Sequence, residues 1–502
     1  MKDYKKQGQP KKNNISVNNT ESTEKICSMR RSCGGCQTWN LTYPEECSMK
    51  MGRLIRLLGK YGHVEEILAM DDPYHYRNKL QAIFRQTGKN QIQYGIYQSS
   101  GNRIVKCDDC LIENEEAAHI VRSVYKLLAP TRTTAWDESR RKGQLRHVMV
   151  RHAAASDTYM VALVTSSYPF PGGETIAAEL VKRHPKIASV VRVINMTDIP
   201  LWMEEREEVL YGNATITDKL NGCLFRISAR SFYQVNTKQT ERLYETALEF
   251  ASPEKGDRIL DAYCGIGTIG IAAAKKYEDI SVLGFDNNEN AVHDAEVNAR
   301  INGLENVKYR CRDAEKIAEE LMAEEDDIQI AFVDPPRAGC GKSFLDAILV
   351  MSPEKIVYVS CNPESLAKDL TYLKRNGAYK VKKIQPVDMF PRTTHVETVC
   401  LLSKLNAKQH IEINLDMDEL DLTDAEKKAT YQEIKDYVLE HSGLKVSSLY
   451  IAQVKQKCGI IERENYNKPK SEDAKQPQCP PDKEKAIKEA LKHFGMIQGG
   501  RI

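Results

Sequence analysis

The sequence predicts an α/β protein in which a doubly wound parallel sheet follows a mainly β domain that carries a cysteine cluster. From about residue 240 onward, short apolar runs alternate with helical patterns, and the runs lie at 259–262, 282–286, 330–334 and 356–360. Such alternation is typical of parallel strands joined by crossover helices. Before that point, turn residues separate strand-like runs at 80–85, 92–97, 149–152 and 161–165, which indicates a mainly β half.

Four segments differ in composition and predict the domain organisation. Residues 1–24 are polar and poor in apolar side chains, which predicts a disordered tail. Residues 25–236 hold the cysteine-dense segment and the β-rich half, and residues 237–405 hold the alternating pattern. Residues 406–502 begin with an acidic stretch and continue as a Lys-rich helical extension of unknown role, in which 486–494 predicts an amphipathic helix.

The composition excludes several classes of protein. The 502 residues are 41% hydrophobic and 28% charged with a net charge of +2, so overall charge makes no case for nucleic-acid binding. No window of about 18 apolar residues and no apolar leader are present, so we expect a cytoplasmic protein without membrane association. We also expect a monomer. In a reducing compartment, the 14 cysteines favour metal ligation or thiol chemistry over disulfides.

A glycine-rich loop follows the first strand of the alternating half. Gly265, Gly267 and Gly270 satisfy the G-x-G-x-x-G spacing, which many nucleoside-binding folds share. Asp261, four residues before the first glycine, would repel a pyrophosphate at the strand tip but attract a positively charged sulfonium. Asp286 ends the next strand, where acidic residues accept hydrogen bonds from ribose hydroxyls; capping of the following helix is the alternative.

Cys361 lies between a predicted strand and a predicted helix. Asn362 suits the N-cap and Pro363 suits the first helical position. A thiol just before a helix N-terminus feels the positive end of the helix dipole, which favours its thiolate. Many cysteines in such positions are inert packing residues, so the accompanying motifs decide the interpretation.

Three motifs occur in chain order: Asp-Pro-Pro-Arg at 334–337, Ser-Cys-Asn-Pro at 360–363 and His-Val-Glu at 395–397. Together they resemble the catalytic half of the S-adenosylmethionine-dependent RNA 5-methyluridine methyltransferases. The segment S-A-R-S-F-Y-Q-V-N at 228–236 is similar to the family's S-x-x-S-F-x-Q-x-N segment. The resemblance covers residues 27–403 and is closest to the 23S rRNA (uracil-5-)-methyltransferases that carry an iron–sulfur cluster.

The resemblance implies a Rossmann-like class I methyltransferase domain with S-adenosylmethionine as cofactor. Its cofactor-binding residues fall on Gln234, Tyr263, Asp286 and Asp334. The family's nucleophile falls on Cys361 and its base on Glu397. Uracil C5 is too weakly nucleophilic to be methylated unaided; a thiolate that adds to C6 activates C5, and a base then removes the C5 proton. We therefore expect an RNA (uracil-5-)-methyltransferase.

The cysteine-dense segment predicts a metal centre. Cys27, Cys33 and Cys36 follow the spacing C-x5-C-x2-C with intervening glycines, which fits either zinc or an iron–sulfur cluster. Relatives with this spacing bind a 4Fe-4S cluster with a distant fourth cysteine, which matches Cys110 better than Cys107. The resemblance therefore implies ligation by Cys27, Cys33, Cys36 and Cys110, with zinc as the alternative.

Two segments indicate contacts with structured RNA. A locally basic stretch would bind phosphates with salt-dependent affinity, and it contains Arg132, Arg140, Arg141, Lys142, Arg146 and Arg151 together with His147 and His152. The segment Y-H-Y-R-N-K at 74–79 resembles a family segment whose aromatic and basic side chains can stack on and hold unpaired bases.

Ribosomal RNA is the expected substrate, because the tRNA-specific relatives lack the four-cysteine cluster. Three alternatives stay open: a tRNA uridine-54 C5 methyltransferase, a non-catalytic iron–sulfur RNA-binding sensor, and a 5-methylcytidine enzyme. Retention of Cys361, Glu397 and Asp334 speaks against the sensor. The 5-methylcytidine enzymes place their nucleophile in a Pro-Cys motif of different context.

Overall fold

The computed structural model describes residues 25–88, 91–166, 168–195, 206–323, 327–376, 379–405, 431–458 and 479–494. The described residues up to 405 form one compact unit, and those from 431 onward form a second. The predicted tail at 1–24 and the predicted acidic stretch after 405 lie outside the described residues. Within the described ranges, no helix has the length and apolar character needed to cross a membrane.

The first unit begins with helix α1 (Tyr43–Leu58) and a seven-stranded sheet. The strands are β1 (Lys79–Gly88), β2 (Gln91–Tyr97), β3 (Ile104–Val105), β4 (Leu145–Ala153), β5 (Thr158–Thr165), β6 (Ile187–Ile194) and β7 (Glu207–Gly212). Their order is β3-β2-β1-β4-β5-β6-β7, and the pairs are antiparallel except β5 with β6. Helices α2 (Glu115–Leu128) and α3 (Gly173–Arg183) cover one face. The predicted mainly β half is confirmed.

A hairpin and a second seven-stranded sheet follow. The strands are β8 (Thr215–Leu220), β9 (Cys223–Ser228), β10 (Arg258–Ala262), β11 (Ser281–Asp286), β12 (Val307–Cys311), β13 (Ile330–Val333), β14 (Lys355–Ser360), β15 (Tyr379–Val387) and β16 (Glu397–Lys404). The helices are α4 (Thr237–Ala251), α5 (Thr268–Lys276), α6 (Glu289–Ile301), α7 (Ala314–Ala323), α8 (Lys342–Met351) and α9 (Pro363–Asn376). The sheet order is β12-β11-β10-β13-β14-β16-β15, and β16 is antiparallel to both of its neighbours. The predicted Rossmann-like, doubly wound half is confirmed.

The strands of the second sheet are apolar on both faces because each face is covered. In β13, Phe332 belongs to the core that the sheet shares with the hairpin and β4–β6, whereas Val333 belongs to the core under α8 and α9. In β14, Val357 and Tyr358 divide in the same way. Successive side chains of a strand point to opposite faces, so a parallel strand buried on both faces reads as a continuous apolar run.

Helix α1 packs on the second sheet although it precedes the first sheet in the chain. Leu54 and Leu58 join the core under α9. Beyond the helix, Val64 and Leu68 make isolated parallel bridges with Ile384 and Val387 of β15. The segment from α1 to about residue 70 therefore packs with the second sheet. The domain boundary between residues 236 and 237 stays a prediction.

A buried cluster of charges fixes α1 to the loop that precedes β16. The ammonium of Lys50 lies 2.7 Å from Glu46 Oε1 and 2.7 Å from Asp388 Oδ1, and the side chains are at most 1% exposed. The hydroxyl of Tyr43 donates to Asp388 Oδ2 at 2.8 Å, and the backbone N–H of Arg392 donates to Glu46 Oε1 at 2.8 Å. Every charge in the cluster thus has a partner, which a buried ion pair requires.

The second unit is helical among its described residues. It contains α10 (Tyr431–Ser442), α11 (Ser448–Lys457) and α12 (Pro481–His493), whose apolar faces share a core. The predicted amphipathic helix at 486–494 lies in α12, which begins five residues earlier because Pro481 suits a first helical turn.

Replacement of Lys50 by methionine should destabilise the first unit, because Glu46 and Asp388 would stay buried without their cation. Breaking a buried pair from one side costs about 3–5 kcal/mol, so the urea midpoint followed by circular dichroism should fall clearly. Arg53→Met is the matched control, because the Arg53–Glu364 pair on the same helix is exposed and such pairs contribute about 0–1 kcal/mol. Equal midpoints for the two variants would contradict the role given to Lys50.

Candidate active site

The three catalytic motifs meet at the carboxyl edge of the second sheet. Asp334 follows β13 and Cys361 follows β14, and these two strands are parallel neighbours. Strand β16 is antiparallel to β14 with Ser360 paired to Thr398. Cys361 is the first residue after β14 and Glu397 is the first residue of β16, and the charges of Glu397 and Asp334 act on the Cys361 thiol. The predicted side chains therefore lie together at neighbouring strand ends.

The two carboxyl groups of the site share a poorly solvated space. Burial and the neighbouring Asp261 raise the pKa of Asp334 to about 7. Burial and the charge of Asp334 raise the pKa of Glu397 to about 8, and Arg337 opposes this shift. At neutral pH without ligands, Glu397 is therefore largely protonated, as expected when one of two like charges must be suppressed.

The Cys361 thiol is not activated in the ligand-free protein. Burial raises its pKa to about 11, with further increases from Glu397 and Asp334 and a smaller opposing effect of Arg337. A lowering effect of the helix N-terminus, which stays a prediction, does not decide the pKa in this state. Burial, the largest cause, disfavours the thiolate, and the carboxyl groups of Glu397 and Asp334 add to this.

The glycine loop is built for a close approach between backbone and neighbouring side chains. Gly267 adopts a φ of +82°, and a Cβ at this position would lie 2.3 Å from the Tyr309 hydroxyl oxygen. Tyr263 also adopts a positive φ of +61°, and its ring packs against Phe285 and Phe344 at centroid distances of 5.8 and 5.4 Å. Such strain at a loop edge is typical of functional sites.

Asp286 holds the loop, and Asp261 has a structural role. Asp286 Oδ2 accepts from the N–H of Gly265 at 3.0 Å, and Oδ1 accepts from Asn288 at 2.9 Å. The carboxylate therefore caps the turn and retains lone pairs for a ligand. Asp261 is 1% exposed and accepts from the Gly270 N–H at 2.9 Å. The expectation that it faces a sulfonium is wrong, because its side chain turns under helix α5.

The cofactor residues named by the sequence lie on three adjacent strand ends and one connecting segment. Tyr263 follows β10, Asp286 ends β11 and Asp334 follows β13, so they flank the point where strand order reverses. Ligands of open α/β sheets bind at such points. Gln234 is partly exposed, and its backbone carbonyl accepts a hydrogen bond from Asn78 Nδ2 at 3.0 Å. Polar and acidic groups at this crevice fit a cationic nucleoside.

Comparison with known proteins agrees with this geometry. A family model described as tRNA (uracil-5-)-methyltransferase matches residues 203–405. An uncharacterized RNA methyltransferase of Oceanobacillus iheyensis is 38% identical over 377 residues, which cover 74% of this chain and 81% of that protein. One of Halalkalibacterium halodurans is 37% identical over 391 residues, covering 77% and 84%. The chain belongs to the RNA (uracil-5-)-methyltransferase family.

A solved member of this kind has the same fold. The crystal structure of Pyrococcus abyssi tRNA (uracil-54, C5)-methyltransferase in complex with S-adenosyl-L-homocysteine matches with a TM-score of 0.61 and 26% identity. The match covers 73% of this chain and 85% of that chain. Like that protein, this RNA methyltransferase is an enzyme that depends on S-adenosylmethionine.

Phe232 is an exposed aromatic residue close to Gln234 that the sequence reasoning did not single out. It exposes 70% of its surface two residues before Gln234, while the serines on either side of the turn, Ser228 and Ser231, bond to each other at 2.7 Å. A large aromatic residue in a short polar connection was a usable signal, because exposed aromatic rings are costly unless a partner covers them. In an RNA methyltransferase such a ring suits base stacking.

The cysteines gather beside the first sheet without closing around one point. Cys27 is buried, and the charges of Cys27, Cys33 and Cys110 all act on the Cys36 thiol. Cys107 acts on the Cys110 thiol, and the choice of Cys110 over Cys107 as a ligand stays a prediction. In the described part of the chain, however, no three histidine, cysteine or acidic side chains have the geometry of a metal site.

The cysteine segment is hydrogen-bonded to the loop that leads into β16, the strand that begins at Glu397. The N–H groups of Gln37 and Thr38 donate to the carbonyl of Arg392 at 3.0 and 3.4 Å. The buried guanidinium of Arg392 lies 4.7 Å from the centroid of the Trp39 ring, and the Tyr76 hydroxyl donates to Pro391 O at 2.9 Å. A change in the cysteine segment would therefore reach the strand that begins at Glu397.

The basic stretch divides into exposed and buried members. Arg140, Arg141 and Lys142 are exposed, as an RNA surface requires. Arg151 has no exposed surface and donates to Ser231 O at 2.8 Å, so its predicted phosphate contact is wrong. The reason is strand geometry, because Arg151 lies in β4 on the face covered by the second sheet.

Alkylation of Cys361 should report the raised pKa directly. A pKa of about 11 instead of 9 implies alkylation by iodoacetamide about 100-fold slower than for an ordinary thiol near pH 8. Glu397 is ionised only above about pH 8, so Glu397→Gln should accelerate alkylation above that pH and leave it unchanged near pH 6. Mass spectrometry of the Cys361 peptide gives the rate, and exposed Glu364→Gln is the control. A fast, pH-independent reaction would contradict the site electrostatics.

Proposed function

We propose that this enzyme methylates C5 of a specific uridine in structured RNA, with 23S ribosomal RNA as substrate. The observation that supports the proposal is that Cys361, Glu397 and Asp334 lie at the ends of three neighbouring strands, where both carboxyl groups act on the Cys361 thiol. A thiol and a carboxyl group on neighbouring strands can act on adjacent ring carbons of one pyrimidine. The packing of the core does not by itself require a thiol and a carboxyl group at the ligand-binding edge of the sheet.

Binding of the positively charged cofactor would favour the ionised side chains that the reaction needs. S-adenosylmethionine supplies an electrophilic methyl group and a positive charge, and Gln234, Tyr263, Asp286 and Asp334 would hold it. A positive charge beside Asp334 favours the ionised forms of its neighbours, since opposite charge lowers the pKa of an acid. Cys361 would thus lose its proton, and Glu397 would become a carboxylate, in the complex with ligands.

The reaction then follows from the positions of two side chains. The Cys361 thiolate adds to C6 of the uracil, which forms an S–C6 bond and places negative charge on C5 and O4. C5 would take the methyl group from the sulfonium as the S–CH3 bond breaks, which leaves neutral S-adenosylhomocysteine. Glu397 then removes the C5 proton, and the electron pair expels the thiolate so that the double bond returns. The base must leave the RNA stack to reach a thiol at a sheet edge. The exposed ring of Phe232 would stack on it.

The tRNA alternative has its own support. The matching family model is described for tRNA, and the Pyrococcus abyssi neighbour acts on uridine 54 of tRNA. The cysteine cluster favours ribosomal RNA, because the resemblance ties that cluster to the 23S enzymes. The non-catalytic sensor is disfavoured, since a sensor has no need for Cys361 close to Glu397.

Mass-spectrometric mapping of 5-methyluridine distinguishes these substrates. Ribosomal RNA and tRNA from cells with and without the gene would be compared, and cells with the Cys361→Ala variant serve as the control for inactive protein. We expect loss of 5-methyluridine from 23S ribosomal RNA alone. Loss confined to tRNA position 54 would support the alternative, and no loss in either RNA would overturn the proposed function.

Cys361→Ala should abolish methylation while S-adenosylmethionine binding, measured by calorimetry, changes less than about twofold. RNA with 5-fluorouridine at the target should trap the wild-type enzyme in an adduct that survives denaturation, because no C5 proton remains to be removed. Cys340→Ala is the control, since Cys340 is a buried thiol of the same domain. An adduct with the Cys361→Ala variant would refute the nucleophile assignment.

Glu397→Gln should allow methyl transfer but stall the removal of the C5 proton. The expected sign is a covalent protein–RNA species that accumulates with ordinary uridine RNA, together with a loss of turnover of about 10²-fold or more. Denaturing gel electrophoresis detects the species. Wild-type turnover in this variant would assign proton removal to another group.

The proposal includes a 4Fe-4S cluster bound by Cys27, Cys33, Cys36 and Cys110. Thiolates are the usual ligands of such clusters, and Cys27, Cys33 and Cys110 lie close enough to Cys36 to raise its pKa. The described side chains do not have the geometry of a metal site. Anaerobically purified protein should be brown with about four irons per chain, and serine at any of the four positions should remove the iron. Cys47→Ser is the control, because Cys47 lies on α1. Stoichiometric zinc without iron would establish the alternative metal.

A further inference from the structure

A cavity of about 460 Å³ opens on the first sheet, away from the glycine loop. We call it the arginine cavity, and its lining includes the polar and aromatic residues Arg85, Tyr97, Trp136, Glu138, Arg141, Arg146 and His147. Its size falls in the range of about 300–1,000 Å³ that small-ligand sites occupy. Nothing in the methyl-transfer chemistry above uses these side chains.

Sheet geometry places the arginine cavity on the same side as the catalytic domain. In β4, Val148 and Val150 face the core under α2 and α3, whereas His147 lines the cavity on the opposite face. Further along that face, Met149 enters the core shared with the second sheet, and Arg151 bonds to Ser231. Four residues of strand from His147 to Arg151 span about 13 Å. An RNA strand bound at Phe232 would therefore pass the cavity within a few nucleotides.

Two arginine–aromatic pairs form the walls of the cavity. The Arg85 guanidinium lies 5.7 Å from the centroid of Tyr97, and the Arg146 guanidinium lies 4.9 Å from the centroid of Trp136. Arg85 is further held by the Asn102 carbonyl at 2.9 Å and by Glu138 at 2.6 Å. The flat groups are therefore fixed before any ligand arrives, which lowers the entropic cost of binding.

The cavity also holds hydrogen-bonding atoms without protein partners. Among the described residues, neither Nδ1 of His147 nor Nε of Arg85 has a hydrogen-bond partner, although both atoms are buried. Burial and Arg146 lower the pKa of His147 to about 4, so its ring is neutral and can accept or donate. Three arginines against one carboxylate, Glu138, leave the lining cationic. Buried polar groups without protein partners are free to bond to water or to a ligand that enters the cavity.

We propose that the arginine cavity binds one unpaired nucleotide of the RNA substrate, with its base against the aromatic and guanidinium planes and its phosphate at the exposed Arg141. The inference rests on the proposed function, because it takes RNA as the substrate. Base stacking on aromatic and arginine planes is the usual way in which proteins hold single-stranded RNA. A paired base has no free face, so the nucleotide belongs to a loop or junction beside the target uridine.

The direct test is equilibrium binding of a short single-stranded RNA of mixed sequence to the full-length protein, with its duplex as comparison. Trp136→Leu should weaken single-strand binding by about 5- to 150-fold, the range expected for one lost stacked base. Arg141→Met should also weaken it, and Lys142→Met is the matched control, since it removes the same charge from the adjoining exposed residue. Duplex binding and S-adenosylmethionine binding should not change.

Ultraviolet cross-linking of the unaltered protein keeps the test independent of folding defects. Tyr97 is 41% exposed, and Tyr211 is 43% exposed outside the cavity, so the two tyrosines form a matched pair. Peptides cross-linked to the single-stranded RNA should contain Tyr97 or Trp136 and not Tyr211.

Three results would overturn the inference: equal single-strand affinity for Arg141→Met and Lys142→Met, equal losses for duplex and single strand, or cross-links at Tyr211 instead of Tyr97. Failure of the proposed function would look different. In that case 5-methyluridine would be unchanged in cells lacking the gene, while the dependence of RNA binding on Trp136 and Arg141 would persist.

Discussion

The ion cluster of Lys50, Glu46 and Asp388 is the constraint on which the catalytic end of the molecule depends. It joins α1, which precedes the first sheet, to the loop that leads into β16, more than 330 residues later in the chain. Charges this deeply buried are tolerated only when each is matched, so the distance between helix and loop cannot vary without a large cost. The cluster thereby holds the loop between β15 and β16, which leads to Glu397 at the start of β16.

The same loop connects the cysteine segment to the catalytic carboxyl group. Arg392 accepts from Gln37 and Thr38 through its carbonyl and packs on Trp39 through its guanidinium. A metal bound by the neighbouring thiols would stiffen this segment and, through Arg392, the entry to β16. The cysteine segment lies beside the first sheet, but its contacts with Arg392 connect it to the strand that begins at Glu397.

Short apolar runs, separated by turn residues in one half and by helical patterns in the other, were enough to predict both sheets, because strands buried on both faces read as continuous apolar runs. The roles proposed for Cys361 and Glu397 came from the resemblance of their motifs to a known family. Sequence reasoning failed where a property depends on neighbours from distant strands. The pKa of Cys361 is raised first by burial and then by Glu397 and Asp334, which belong to other strands. Arg151 reads as a surface charge, yet its face of β4 is covered by the second sheet.

Two carboxyl groups beside the Cys361 thiol disfavour its ionisation. In the proposed mechanism, this keeps the thiol protonated until the methyl donor binds. While Asp334 and Glu397 surround Cys361, the thiol stays protonated and resists oxidation and stray alkylation. Under the proposed mechanism, the charge that favours ionisation comes with the methyl donor, so the thiolate would form only when the group to be transferred is present. The carboxyl groups that oppose the thiolate in the free protein would also attract the cationic donor, which would tie activation of Cys361 to occupancy of the cofactor site.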